Sequence, residues 1–452
     1  MIELSYNKGT ILIKGSIRVP YATWDMRVNC YRAQALYYRE IVEYLKRSKL
    51  EYKDRVLELI PCQDLILSTQ FQLRDYQERA LNAWLSAGKK GTIALPTGAG
   101  KTHIAIKAIS IVNQPTIVVV PTLDLLEQWR VIINRELSIE AGTYGGGKHI
   151  LKAVTIATYD TAYIRAEELG NKFMLIIFDE VHHLPASGYM QIAELSAAPY
   201  RLGLTATYER EDGLHLELDR LIGGKVFEAD IQQLAGRYLA EYEVKTIRTE
   251  LTPAEKKAYT EAYEIFLNYL RVSKIALKTP SDFQSLIMRT GRDSRAREAL
   301  LARHRARQIA LNSASKLNAL KQILENHHSD RILIFTEHNE LVHKISKEFL
   351  IPAITHRTSK NERMEILENF KNARYKAIVT SKVLDEGIDV PEANIGIIVS
   401  GSGSTREFKQ RLGRLLRKRE GKKAILYEIV SMQTSEVGTS KRRKKKVLYA
   451  SN

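Results

Sequence analysis

Cysteine is nearly missing from this chain: of 452 residues only Cys30 and Cys62 carry thiols. Two thiols 32 positions apart cannot form a CxxC metal or redox site and are too few for a disulfide scaffold. Long apolar runs are missing too. None approaches the roughly 20 residues that cross a bilayer, so no membrane anchoring is expected. The start of the chain alternates Ile2, Leu4 and Tyr6 where a secretory signal would place a basic stretch and an apolar core. An intracellular, soluble protein is expected.

What the sequence has in excess is positive charge. Lys and Arg number 69 against 52 Asp and Glu, a net charge of +17, which favours a polyanionic partner such as nucleic acid. With 44% hydrophobic and 27% charged residues the composition is that of an ordinary globular protein. The length suffices for three or four compact units, each with its own core.

Residues 1–65 read as a small α+β unit, with strands at Ile2–Tyr6 and Thr10–Lys14 about an Asn7-Lys8-Gly9 turn and a helix over Arg32–Arg47. Eleven Lys and Arg are mixed here with Tyr6, Tyr21, Trp24, Tyr31, Tyr37, Tyr38, Tyr44 and Tyr52. That mixture suits phosphate contact with base stacking, and it equally suits an aromatic core. Over 66–240 the apolar runs Thr92–Leu95, Thr116–Val120, Ala153–Ala157, Met174–Phe178 and Arg201–Leu204 alternate with helical stretches, the rhythm of a parallel sheet covered by helices. Residues 241–310 are expected to hold a helical insertion, helical in pattern from Pro253. From 253 to 310, twelve basic residues, among them Arg289, Arg292, Arg295, Arg297, Arg303, Arg305 and Arg307, face six acidic ones. They form either an arm on a nucleic-acid backbone or a solvated helix face. A second α/β series over 311–430 has strands at Arg331–Thr336, Lys376–Thr380, Ile395–Val399 and Ala424–Val430. Residues 431–452 read as a flexible basic tail containing the six-residue run Lys441–Lys446.

The chemistry is carried by Leu95-Pro96-Thr97-Gly98-Ala99-Gly100-Lys101-Thr102, which follows a strand and opens a helix. Small residues there let successive backbone N–H groups turn toward phosphate oxygens, and the helix N-terminus adds its dipole. Thr97, Gly98, Ala99 and Gly100 are thus expected to cradle the phosphates, Lys101 to contact the β- and γ-phosphates, and Thr102 to hold Mg²⁺. Asp179, 78 residues beyond Lys101 at the carboxyl end of a strand, is expected to hold the same ion. Glu180 beside it is the candidate to orient and deprotonate the attacking water. Arg74 and Gln77 precede the loop by about one helix, and the Gln77 amide suits an adenine edge. Gln410, Arg414 and Arg417 fall within about 60° on one helix face, and the two arginines suit charge neutralisation on a transferring phosphoryl group.

At this point the chain resembles the superfamily 2 helicases with two RecA-like lobes. The matching segments are the glutamine region to Gln77, LPTGAGKT, PTLDLLEQW at 121–129, ATYD at 157–160, DEVH at 179–182, LTAT at 204–207, IFTEH at 334–338, LDEGIDVP at 384–391 and QRLGRLLR at 410–417. They stand in family order. Within the superfamily the chain most resembles the archaeal branch of the XPB family, because Arg210-Glu211-Asp212 matches that family's RED element, proposed to separate strands.

The resemblance implies two RecA-like parallel-sheet lobes, a damage-recognition-like α+β domain at the N-terminus and a thumb-like helical insertion. It implies ATP with Mg²⁺ as cofactor and movement 3′ to 5′ along double-stranded, forked or damaged DNA. His182, Thr205, Thr207 and Gln410 are the implied coupling residues, and Gly387 and Asp389 should line the nucleotide-facing surface of the second lobe. A nuclease partner, a monomeric state and a cytoplasmic, nucleoid-associated location (nuclear in a eukaryote) are further implications. Three readings stay open: unwinding, translocation or remodelling without unwinding, and a damage-binding scaffold that ATP toggles. The choice of DNA over RNA rests on the resemblance alone.

Overall fold

Alternating apolar strands and amphipathic helices assemble into three sheets. The computed structural model describes residues 1–15, 17–68, 71–210, 212–277, 279–381, 393–402, 404–415 and 423–444. These group into two compact units that divide between Leu234 and Ala235.

The first unit opens with strands β1 (Ile2–Asn7), β2 (Thr10–Lys14), β3 (Thr23–Asp25), β4 (Cys30–Gln34) and β5 (Tyr52–Arg55) in the order β3-β4-β2-β1-β5. The expected helix starts later than its periodicity indicated. Arg32–Gln34 belong to β4, a single 3₁₀ turn intervenes, and the helix spans Tyr38–Arg47. Register with β2, which pairs Ile11 with Ala33 and Ile13 with Tyr31, decides the outcome for the ambiguous residues. Tyr6, Tyr31, Tyr37, Tyr38, Tyr44 and Tyr52 pack on the core of this sheet, whereas Tyr21 and Trp24 stay exposed.

That small sheet is seated on the rest of the first unit. The Tyr6 hydroxyl lies 3.0 Å from the carbonyls of Glu167 and Leu195, Glu40 pairs with Lys90 at 2.7 Å, and Ala197 is part of the small sheet's core. Gly9 makes the contact possible. It adopts φ 83°, and a Cβ there would fall 2.4 Å from the Leu195 side chain.

The larger sheet of this unit contains β6 (Lys90–Ala94), β7 (Thr116–Val120), β8 (Gly142–Gly145), β9 (Lys148–Ile150), β10 (Val154–Thr158), β11 (Leu175–Asp179), β12 (Tyr200–Thr205) and β13 (Lys225–Glu228). Their order is β13-β6-β12-β11-β7-β10-β8-β9, and every pair is parallel except β8 with β9. The five expected strands are present within two residues of their predicted ends. β9 and β13 are short edge strands and β8 is the short strand next to β9, none with an apolar run to announce it.

One charged residue sits inside this sheet's packing. Arg201 on β12 is 1% exposed, and its guanidinium donates to the carbonyls of Ala193, Ser196, Ala198 and Leu221 at 2.6–3.2 Å. Burial pulls its pKa down to about 10. It fastens two chain segments, 193–198 and the end of the helix at Leu221, to one strand with no carboxylate among its hydrogen-bond partners.

The second unit has strands β14 (Glu241–Thr249), β15 (Ile332–Phe335), β16 (Ala353–Ile354), β17 (Ala377–Thr380), β18 (Ile395–Ile398) and β19 (Lys423–Ser431), all parallel in the order β14-β19-β18-β15-β17-β16. The segment expected as a helical insertion therefore begins with a sheet strand, β14. The helices Pro253–Val272, Pro280–Arg289 and Ser294–Leu311 follow. Thr252 and Thr279 cap the first two with proline at the first position and an acid three residues on. Ala296, Ala299, Ala302, Ala306 and Ala310 recur at helical spacing and are all buried, a small-residue seam in the third helix.

The expected flexible tail differs most. Ser435–Lys444 is a helix, with Glu436 paired to the buried Lys316 at 2.6 Å and Arg443 paired to the buried Glu428 at 3.1 Å. Alternation of charge signs between the tail and β19 turns a basic run into a structural lock.

Arg201→Met should destabilise the protein by about 3 kcal/mol or more, because it strands buried carbonyls that have no replacement donor. Urea unfolding followed by circular dichroism measures this, and a loss under about 1 kcal/mol would mean the carbonyls repair themselves.

Candidate nucleotide site and the loops around it

Strand register assembles this site. Ala94 pairs with Thr205 across β6 and β12, and Leu204 pairs with Asp179 across β12 and β11. Neighbouring strands lie about 4.8 Å apart, so the phosphate loop, LTAT and DEVH leave the same edge of the sheet side by side. The Leu95 N–H donates to the Thr205 carbonyl at 2.9 Å and stitches two of these exits together.

The loop itself needs its glycines. Gly98 and Gly100 adopt φ 83° and 76°, and Gly100 is the N-cap of the helix Lys101–Val112. A Cβ on Gly100 would stand 2.4 Å from Gln77 Nε2. Thr97, Lys101 and Thr102 are half-buried, Ala99 is buried, and Gly98 is exposed. The Lys101 ammonium donates to the carbonyls of Leu95 at 3.0 Å and Pro96 at 3.5 Å. Phosphate oxygens would offer stronger, charged acceptors at the same place.

Gln77 is buried, and its amide is engaged within the loop: Nε2 donates to the Ala99 carbonyl at 2.9 Å, and Oε1 accepts from the Arg74 N–H at 2.9 Å. The Tyr76 hydroxyl adds a bond to the same Ala99 carbonyl at 2.7 Å. Both side chains brace the loop from behind, and Arg74 itself is exposed. Tyr76 carried no signal in the sequence reading, because a tyrosine at an apolar helix position looks like core.

Asp179 ends β11 and is 7% exposed. Its Oδ1 accepts from the Glu180 N–H at 3.0 Å and its Oδ2 from the Trp129 indole at 2.8 Å. Burial, reinforced by the charge of Glu180, pushes its pKa up to about 6, while Trp129 and the Lys101 ammonium act in the opposite direction. Glu180 holds a left-handed backbone, φ 49°, uncommon for a residue with a Cβ. Sequence reasoning missed Trp129, since a tryptophan at this helical spacing is normally core.

His182 connects this carboxylate pair to LTAT. Its Nδ1 lies 3.2 Å from Thr205 Oγ1 and 3.4 Å from Glu180 Oε2. The Thr205 hydroxyl spends its proton on the Thr207 carbonyl at 2.8 Å, so toward His182 it accepts, which assigns the ring proton to Nδ1. Arg210 reaches back to the His182 carbonyl while forking onto Asp212 at 3.0 and 2.6 Å. That pairing holds the Asp212 carboxyl down to about 2.

The structure brings together, within the first unit, Arg74, Gln77, Thr97 to Thr102, Asp179, Glu180, His182, Thr205, Thr207, Arg210 and Asp212. Gln410 is buried on the helix Thr405–Leu415 of the second unit, which also carries Arg414. Glu211, Gly387, Asp389 and Arg417 lie outside the described residues.

In the basic arm, Arg303 stacks over Phe283 at 4.6 Å and Arg307 pairs with Glu337 at 2.6 Å, so both are tied to their own unit. Arg289, Arg292, Arg295, Arg297 and Arg305 are exposed. No helix among the described residues is long and apolar enough to cross a membrane.

Comparison with known proteins agrees with this geometry. Residues 4–56 match the model of the xeroderma pigmentosum group B helicase damage recognition domain, residues 70–210 that of the type III restriction enzyme res subunit, and residues 297–449 that of the ERCC3/RAD25/XPB C-terminal helicase. The chain is 44% identical to the DNA 3'-5' translocase XPB2 of Sulfurisphaera tokodaii over 98% of its own length and 100% of the relative's. It is 30% identical to the DNA 3'-5' helicase XPB of Mycobacterium tuberculosis, covering 80% of this chain and 61% of that one. The match to the transcription and repair factor IIH subunit XPB of Danio rerio is 29% identical and covers 87% of this chain and 49% of that one. The chain thus spans the whole of the first relative and about half to three fifths of the other two. The crystal structure of the Pyrococcus furiosus Hef helicase domain shares the fold, with a TM-score of 0.53 at 19% identity over 81% of this chain and 97% of that one. The 44% identity along the whole of an XPB2 translocase, with residues 4–56 and 297–449 matching the two XPB family models, places this chain in the XPB family of superfamily 2 helicases.

Proposed function

We propose that this chain is a DNA-stimulated ATPase that moves 3′ to 5′ along duplex DNA. The observation that carries the reading is the shared exit of the phosphate loop, DEVH and LTAT from three adjacent parallel strands, with His182 joining Glu180 to Thr205. In this reading Lys101 leaves the carbonyls of Leu95 and Pro96 for the β- and γ-phosphates, and Glu180 orients a water and takes its proton.

Mg²⁺ fits the donor set. It takes few protein ligands and keeps waters and phosphate oxygens, which matches one hydroxyl at Thr102 and one carboxylate at Asp179. Among the described residues there is no cluster of three or more His, Cys, Asp or Glu that would suit a cage metal instead. When bound, the ion would screen phosphate charge.

Arg210 supplies the step from nucleotide to DNA. Its guanidinium ties the RED segment to the His182 carbonyl, so a shift of DEVH on nucleotide binding reaches the proposed strand-contact loop directly. The exposed arginines of the helical arm are assigned to the DNA backbone. We assign the domains as damage recognition, first lobe, thumb and second lobe in chain order. The working state is proposed to be a monomer in the compartment of the DNA, and strand cutting is left to a nuclease partner.

Translocation without processive unwinding is the second reading. The full-length relative at 44% identity is named a translocase, which favours it. Triplex displacement and strand displacement run side by side distinguish the two, and efficient duplex opening would decide for unwinding.

Glu180→Gln should lower ATP turnover at least about 100-fold and leave nucleotide affinity nearly intact. Gly100→Ala should do the reverse first, weakening nucleotide binding by more than about tenfold because the new Cβ meets Gln77 at a left-handed φ. Fluorescent-nucleotide titration with a phosphate-release assay reads both, and unchanged turnover in Glu180→Gln would remove the glutamate from its role. Replacing Arg289, Arg292, Arg295 and Arg297 together by alanine should flatten the salt dependence of duplex binding by about 0.9 for each phosphate that the arm no longer neutralises. An unchanged slope would take the arm off the DNA path.

A further inference from the structure

Two buried aromatic side chains end on the same acidic residue. The Trp129 indole donates to Asp179 Oδ2 at 2.8 Å, and the Tyr159 hydroxyl donates to the Asp179 carbonyl at 3.2 Å. Both are 1% exposed. They arrive from different directions: Trp129 lies on the helix Leu123–Leu137 that follows β7, and Tyr159 opens the helix Tyr159–Ile164 that follows β10. PTLDLLEQW and ATYD, two separate segments of the sequence, thus converge on Asp179.

We propose that Trp129 is a positioning residue that fixes the plane of the Asp179 carboxylate for a Mg²⁺–nucleotide complex, with Tyr159 anchoring the backbone beneath it. This rests on reading Asp179 as the metal-holding carboxylate. An ionised carboxylate accepts hydrogen bonds and can rotate about χ2 unless both oxygens are engaged. The Glu180 N–H engages Oδ1, and only the indole engages Oδ2 among the hydrogen bonds of Asp179 described above. An indole N–H donates and never accepts, so it holds that oxygen in one role, and both Trp129 and Asp179 are buried. Each oxygen keeps lone pairs beyond the one so engaged. Outer-shell donors of this kind orient metal-binding carboxylates, and their loss commonly weakens metal affinity about 10- to 100-fold.

Phenylalanine keeps the ring body and deletes the donor. In the full chain, Trp129→Phe should raise the Mg²⁺ concentration for half-maximal tight binding of a fluorescent ADP about tenfold, with ADP affinity in excess EDTA unchanged. Trp84→Phe is the matched control, since its indole is equally buried but donates to the Arg201 carbonyl at 2.9 Å, away from Asp179. It should lower thermal stability and leave the Mg²⁺ dependence alone. Equal Mg²⁺ curves for the two variants would overturn the proposal. Wild-type ADP binding that ignores Mg²⁺ would instead remove Asp179 from the metal, and the proposal with it.

A measurement without Trp129→Phe guards against a variant that fails to fold. The chain has three tryptophans, so ¹⁵N-tryptophan labelling gives three indole N–H signals, and Trp24→Phe and Trp84→Phe identify that of Trp129 by elimination. Adding Mg²⁺ to the ADP-bound wild type should move the Trp129 signal and leave that of Trp84 in place. A Trp129 signal that ignores the metal overturns the assignment.

Discussion

Parallel register between β6, β12 and β11 is the constraint on which the rest of the site depends. Ala94 opposite Thr205 and Leu204 opposite Asp179 put three loops at one edge. Register in a buried parallel sheet is hard to slip, because a one-residue shift turns each side chain to the wrong face. The loops inherit that precision. Glu180, in a left-handed backbone, and Gly100, pressed against Gln77, are tolerable only because both sides of each contact are held by strands or helices that cannot move apart.

How far this was legible in the sequence follows from what each residue type can signal. Lys101, Asp179 and Glu180 stood out because a glycine-rich loop and an acidic pair after apolar strands have few other uses. The central strands were readable from runs such as Thr116–Val120, buried throughout. Trp129, Tyr76 and Tyr159 were not, since their polar tips bond to Asp179 and the phosphate loop while their apolar bodies match the core pattern. The strand Arg32–Gln34 was hidden by a helical period continuing from Tyr38, and pairing with β2 overrode it. β14 was equally hidden: its partner β19 lies far along the chain, and exposed residues such as Lys245 and Arg248 interrupt its apolar pattern.

Net charge proved a blunter guide than it first looked. Arg201 is consumed by four carbonyls within the first unit, Arg443 by Glu428, Arg303 by two aromatic rings and Arg307 by Glu337. These residues contribute to the formal +17 without offering a free cation to a ligand. In the helical arm the remaining exposed basic residues are Lys256, Lys257, Arg271 and Lys274 together with the series from Arg289 to Arg305.

A series of close contacts inside the first unit runs from DEVH through LTAT to the RED segment. Glu180 lies beside His182 Nδ1, His182 beside Thr205, and Thr205 closes on both the N–H and carbonyl of Thr207. Three residues beyond Thr207, Arg210 returns to the His182 carbonyl, so LTAT and the RED segment form a closed loop through one histidine. The Glu180 carboxylate faces the same imidazole that bonds Thr205 through its side chain, and Arg210 holds the main chain of that histidine. The Thr205 hydroxyl gives its own proton to Thr207 and accepts from the ring, so the imidazole proton sits on Nδ1, 3.4 Å from Glu180 Oε2. A shift that took Thr205 away would leave that proton to Glu180, the group proposed to accept one from water. One ring nitrogen thus faces two groups from different loops, Thr205 of LTAT and Glu180 of DEVH, and its single proton can be shared between them or given to one.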